Sequence, residues 1–182
     1  GIAHPPGYPL ATLICHPMMS LPFDGAIPGN LFSTLFAILT LCALYFLCRL
    51  IDLSELESAL AVGVMAVSTA FWSQSIVLEV YTLNSFLFIC MMICCFCFSR
   101  AGDGRWLVSG SLFLGLGLSN HWPLIVTSSL CLLPFLLWKI HPLFKGAEEP
   151  DVIGWMCIVT CIGFVALPVD VYQVRQSHDH DR

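Results

Sequence analysis

The residues that could do chemistry fall in three short segments. The first is His4-Pro5-Pro6-Gly7-Tyr8-Pro9-Leu10. Its prolines forbid a regular helix through the run, and Gly7 allows a tight backbone turn. His4 supplies a titrating or hydrogen-bonding group and Tyr8 an aromatic face. The second is Phe71-Trp72-Ser73-Gln74-Ser75, followed by Glu79-Val80-Tyr81-Thr82-Leu83-Asn84. Glu79 is the only acid between Glu57 and Asp103. An acid at a membrane boundary is costly unless hydrated or paired, which makes it a functional candidate. Asn84, Thr82 and Gln74 add polar atoms, and Trp72 and Tyr81 suit an interfacial aromatic belt. The third is Asn120-His121-Trp122-Pro123, where His121 could bind a ligand, donate a proton or cap backbone groups. Each segment also has a plainer use: a rigid loop, the outer end of two helices, and a capped turn.

Other candidates carry less. Cys90, Cys94 and Cys97 form one helical stripe, and Cys157 and Cys161 another. No histidine joins either, and no paired CxxC pattern exists. They read as small apolar residues at helix contacts. Cys48 and Cys97 lie near expected helix ends, where palmitoylation is a weak option. His178-Asp179-His180-Asp181 reads as an exposed tail rather than a metal site. Gly115-x-Gly117-x-x-Asn120 follows no strand, so it is no dinucleotide fingerprint. No cofactor is evident.

The elements that must position these residues are membrane helices. Of 182 residues, 58% are hydrophobic and 10% charged, with a mean hydropathy of +0.86. Soluble domains carry about 25% charged residues. The net charge is −5 with seven Lys and Arg. No basic patch exists, which argues against nucleic acid as a partner. The expected class is all-α: a polytopic transmembrane helical bundle in a lipid bilayer. A span needs about 20 mostly apolar residues, and six candidates emerge at 30–48, 58–78, 80–99, 106–119, 124–138 and 152–169. Two are short and need tilt or local thinning. Ala59, Gly63, Ala66 and Ala70 form a small-residue stripe suited to close packing. Residues 10–21 read as a short interfacial or re-entrant segment, and 170–182 as a polar tail.

Charge then orients the spans. Lys and Arg favour the cytoplasmic side. Arg49, Arg100, Arg105, Lys139 and Lys145 all fall inside if the uncharged stretch between Arg105 and Lys139 makes two short spans rather than one. All three polar segments then face outward. Only Arg175 and Arg182, in the tail, depart from the rule. The chain begins with Gly1 and shows no signal-peptide pattern, and it reads as a fragment.

The ordered set Gly1-Ile2-Ala3-His4-Pro5-Pro6-Gly7-Tyr8-Pro9-Leu10, Asn30-Leu31, Phe71-Trp72-Ser73-Gln74, Glu79-Val80-Tyr81-Thr82-Leu83-Asn84 and Gly117-Leu118-Ser119-Asn120-His121 resembles the transmembrane protein 260 family. The resemblance runs from about Gly1 to Val169. It implies a GT-C glycosyltransferase fold with a pocket at the lumenal or extracytoplasmic face. It also implies transfer of mannose from a dolichol-phosphate donor to a Ser or Thr hydroxyl of an acceptor protein. The location implied is the endoplasmic reticulum membrane in a eukaryote, or the inner membrane in a bacterium. Family members carry an acidic Asp-x-Gly-Glu-type segment just before the His-Pro-Pro-Gly motif, where the catalytic base is expected. That segment is not in this chain, which leaves Glu79 as the catalytic candidate. The expected substrate-binding residues are His4, Pro5, Gly7, Tyr8, Glu79, Tyr81, Asn84, Asn120 and His121. Among them His4 and His121 are candidates for the donor phosphate. The alternatives are a membrane transporter, whose sites also use broken helices, and a truncated non-catalytic membrane protein.

Overall fold

The structure is a computed structural model that describes residues 8–23, 27–130 and 132. Among these every regular element is an α-helix, and no strand occurs. Helix α1, Pro9–Met19, starts on a proline, which suits a first-turn position whose N–H would lack a partner anyway. Its 11 residues extend about 16 Å, too short to cross a hydrocarbon layer of about 30 Å. Ala11 and Cys15 bury its inner face against Phe32, Phe36, Leu83 and Leu87.

Helix α2, Ile27–Leu50, has 24 residues and Arg49 in its last turn. Helix α3, Glu55–Val67, starts at a reciprocal cap. The Glu57 N–H donates to Ser54 Oγ at 3.3 Å, and the Ser54 N–H donates to Glu57 Oε2 at 2.8 Å. Helix α4, Thr69–Ser75, follows after a single residue. The span expected at 58–78 is therefore not one straight helix. Ser68 is extended (φ −65°, ψ 133°), and its side chain accepts from the Phe71 N–H at 3.3 Å to start α4 anew. The two axes differ by 68°.

Helix α5, Tyr81–Ala101, ends on Gly102 with φ +67°, where glycine costs least. Helix α6, Arg105–Leu130, is broken at His121 (φ −149°, ψ 86°). The break turns the chain back on itself. Residues eight apart on a straight helix stand about 12 Å apart, yet a Cβ on Gly117 would lie 2.6 Å from Ile125 Cγ1. The outgoing arm passes α5 at Gly110, where a Cβ would lie 3.4 Å from Cys94 Cβ, and reaches Val80 at Asn120. The returning arm brings Ser129 Oγ to 3.9 Å from Met91 Sδ.

The result is a helical membrane bundle. Helices α2 and α5 are long and apolar enough to cross a bilayer, and the bent pair α3 and α4 makes a third crossing if it counts as one span. Beyond Leu130, the 124–138 candidate leaves the described residues apart from Leu132, and the 152–169 candidate lies wholly outside them. Leu56, Leu60, Val64 and Val67 stand exposed along α3, as on a membrane-embedded surface. The small-residue stripe is not a continuous packing seam among the described residues: Ala59 is exposed and no atom lies within 4 Å of a Cβ placed on Gly63, while Ala66 and, on α4, Ala70 are half-buried. Close approach occurs instead at Gly29 against Leu78 and at Gly117 against Ile125.

Two apolar clusters fill the interior. One joins α1 to the first turns of α2 and α5. The other, around Leu44, Leu47, Phe88, Met92 and Ile125, holds α2, α3, α5 and α6 together. Arg100 pairs with Asp52, so α2 and α5 run parallel and finish side by side. The three described arginines, Arg49, Arg100 and Arg105, share that end. The polar segments share the other.

Candidate functional site

The polar end is built on backbone anchors. Ser33, fully buried on α2, grips residue 79 twice. Its Oγ accepts from the Glu79 N–H at 2.9 Å and donates to the Glu79 carbonyl at 3.2 Å. Thr34 Oγ1 donates to the Ser75 carbonyl at 2.9 Å. Together they pin the non-helical segment 76–80 to α2. One residue on, the Val80 carbonyl accepts from the Asn84 N–H at 3.1 Å and from Asn120 Nδ2 at 3.0 Å. The apex of α6 is thereby fastened to the first turn of α5.

His121 sits at that apex. Its Nδ1 accepts from the Leu124 N–H at 3.3 Å and so caps the returning arm. Neutral imidazole has one donor nitrogen and one acceptor, so an accepting Nδ1 puts the ring proton on Nε2. Tyr8 stacks on the imidazole, with centroids 5.6 Å apart and planes 12° apart. Tyr81 meets the same ring at 5.5 Å and 50°. A cavity of about 340 Å³ opens beside them, lined by Tyr8, Pro9, Leu118, Ser119, Asn120, His121, Trp122 and Pro123.

The electrostatics of this end are unusual in one respect. Asn84 and Asn120 are each 1% exposed, and the Oδ1 of each has no hydrogen-bond partner. Thr82 Oγ1 and Gln74 Oε1 are in the same state. A buried acceptor without a partner costs about 1–3 kcal/mol. Four of them at one end of a bundle form a set of acceptors open to a ligand or to water. Glu79 is half-buried, and loss of hydration pushes its carboxyl above the ordinary glutamate value, with a hydrogen bond from the Val80 backbone pulling the other way. Among the described residues it is the only acid at this end. No group of three or more His, Cys, Asp or Glu among the described residues could hold a metal ion.

Of the residues singled out by sequence, Tyr8, Tyr81, Asn120 and His121 come together around one imidazole and one cavity wall. Asn84 lies one turn into α5, below Tyr81, and Glu79 in the segment leading into it. His4, Pro5 and Gly7 lie outside the described residues. Sequence reasoning missed Ser33 and Thr34, which hold the Glu79 segment in place. Their signal was a hydroxyl pair inside an otherwise apolar run. It also left Trp122 and Ser119 out of the binding set, although both line the cavity.

Protein O-mannosyl-transferase TMEM260 of Mus musculus is 32% identical over 146 residues, covering 77% of this chain and 21% of the relative. The chain thus spans about a fifth of that relative's length. No solved structure matches the chain. The family described as the Protein O-mannosyl-transferase TMEM260 N-terminal domain matches residues 1–143, a stretch that holds all the site residues above, and the chain belongs to that family.

Proposed function

We propose that this chain forms part of a membrane glycosyltransferase of GT-C type. It helps transfer a hexose, mannose, from a dolichol-phosphate donor to a Ser or Thr hydroxyl of a protein. The observation that carries the proposal is the polar end itself: His121 between Tyr8 and Tyr81, beside the buried Asn84 and Asn120, whose Oδ1 atoms have no hydrogen-bond partner. The name of the mouse relative supports the reaction class. Arg49, Arg100 and Arg105 at the opposite end support a lumenal or extracytoplasmic location, since arginine favours the cytoplasmic face. The membrane is that of the endoplasmic reticulum in a eukaryote.

The reaction needs three things: a base for the acceptor hydroxyl, support for positive charge developing on the sugar ring, and support for the departing phosphate. This chain supplies positioning. The anchored 76–80 segment presents Glu79, whose burial favours the protonated carboxyl and suits it to hold or pass a proton. Asn84, Asn120 and the Nε2–H of His121 offer acceptors and a donor for the donor substrate. The base is the acid that family members carry just before the His-Pro-Pro-Gly motif.

The test is reconstitution of the full-length protein containing this chain with dolichyl-phosphate mannose and a Ser/Thr-rich acceptor. Mannose should appear on the acceptor, and Glu79→Gln should cut the rate by about tenfold or more at unchanged fold. Wild-type transfer by Glu79→Gln would remove Glu79 from the mechanism. A folded wild-type protein that transfers no mannose would end the proposal, and uptake of sugar into proteoliposomes instead would favour a transporter.

A further inference from the structure

The cavity at the α6 apex allows a choice between two parts of the donor, and this rests on the glycosyltransferase reading above. We infer that it is the hexose subsite, and that the donor phosphate binds elsewhere. The first ground is charge. None of the eight described residues lining the cavity is Lys, Arg, Asp or Glu. Phosphate is held by guanidinium or ammonium groups, or by free helix N–H groups. The three described arginines all stand at the far end of the bundle. The one basic side chain among the described residues of the wall is His121, and its Nδ1 is already committed as an acceptor to the Leu124 N–H. Protonating that nitrogen to meet an anion would undo the cap that starts the returning arm.

The second ground is the chemistry that remains. Tyr8 and Trp122 supply aromatic faces, and Trp122 is 56% exposed. Asn120 brings an amide whose Oδ1 has no partner, in a side chain 1% exposed. His121 brings an Nε2–H donor, and Ser119 an exposed hydroxyl. Aromatic walls with a few convergent neutral donors and acceptors suit a polyhydroxylated ring: the C–H face packs on the rings and the hydroxyls take the amide and imidazole. The volume, about 340 Å³, sits at the small end of the ligand-pocket range of about 300–1,000 Å³. That is room for a single sugar ring.

The third ground is position. Asn120 is tied to the Val80 carbonyl, one residue from Glu79. A hexose in the cavity would lie next to the segment that carries the only described acid at this end.

The experiment uses the full-length protein in lipid nanodiscs, with two probes: polyprenyl-phosphate mannose and sugar-free polyprenyl phosphate. Trp122→Leu and Tyr8→Leu should weaken binding of the mannosylated lipid by about tenfold and change binding of the sugar-free lipid less than about twofold. Ser119→Phe, an exposed position that would fill the cavity mouth, gives the same comparison if either of those variants fails to fold. Equal weakening of both lipids would make this the phosphate subsite and overturn the inference, as would no weakening of either. A wild type that binds the mannosylated lipid with these losses but transfers no sugar would sink the proposed function and leave the subsite standing. Transfer by a wild type whose variants lose both lipids equally would do the reverse.

Discussion

The two ends of this bundle treat polar groups in opposite ways. At the arginine end most of the described charges have a partner close by in the chain or across to a neighbouring helix. Asp52 pairs with Arg100, Asp103 with Arg105, Arg49 Nη1 donates to the Leu53 carbonyl at 2.7 Å, and Ser54 and Glu57 cap each other. At the other end, polar atoms are buried and left over. The carboxylates show the contrast most plainly. Hydrogen bonds from Ser54 hold Glu57 below the ordinary glutamate value, and those from Arg105 hold Asp103 below the aspartate value, while burial pushes Glu79 above its own. One end is built for stability at a membrane surface. The other keeps unsatisfied groups in place by backbone anchors, the pattern of a site that binds something.

The contrast can be broken most severely at Gly117. Gly117→Val would drive a branched side chain into Ile125, already 2.6 Å from a Cβ. Overpacking of this kind costs about 1–3 kcal/mol or more. It should open the α6 hairpin and lower the unfolding temperature together with activity. An unchanged unfolding temperature would mean that the two arms are not closely packed.

Ser33→Ala should come next. It removes both bonds to residue 79 and leaves a backbone N–H unmet, at a cost of about 1–3 kcal/mol. Hydrogen exchange at residues 76–80 should rise while that of α5 holds. No change in exchange there would show that Ser33 is not the anchor.

Ser54→Ala, at the other end, should cost about 1 kcal/mol through loss of the cap, with transfer activity kept. Asp52→Asn should cost the least, about 0–1 kcal/mol, because both partners are exposed. A larger loss would mean that the arginine end is more than a solvated surface.

A pH comparison sharpens the same point. Glu79 binds its proton more tightly folded than unfolded, so its contribution to stability falls as pH rises from its unfolded value through its raised folded one. Glu57 behaves the other way: its contribution is complete above the unfolded value and is lost as pH falls through the lowered folded one. At neutral pH, Glu79→Gln should therefore leave thermal stability equal or higher, and Glu57→Gln should lower it. Both differences should shrink in acid. The same sign for both substitutions at neutral pH would contradict the two environments.

Much of this architecture was readable from composition. Long uncharged apolar runs ending at Arg49 and Arg100 marked α2 and α5, because few other structures tolerate such runs. Glu79, Asn120 and His121 stood out for the matching reason, as polar residues where polarity is expensive. What sequence concealed was decided by single side chains. Ser68 breaks the expected 58–78 helix by offering its hydroxyl to the Phe71 N–H, and nothing in an apolar run of that length announces it. Ser33 was passed over because its partner lies 46 residues away in sequence. The Ala59–Ala70 stripe looked like a packing seam, but spacing alone cannot say which face meets a neighbour.

The most direct test of a division between a binding end and a structural end is mannose transfer by the full-length protein carrying His121→Gln or Asp52→Asn, each checked by thermal unfolding. The account expects transfer to fall about tenfold or more with His121→Gln and to stay at the wild-type level with Asp52→Asn, both proteins remaining folded. Equal rates in the two variants would contradict it.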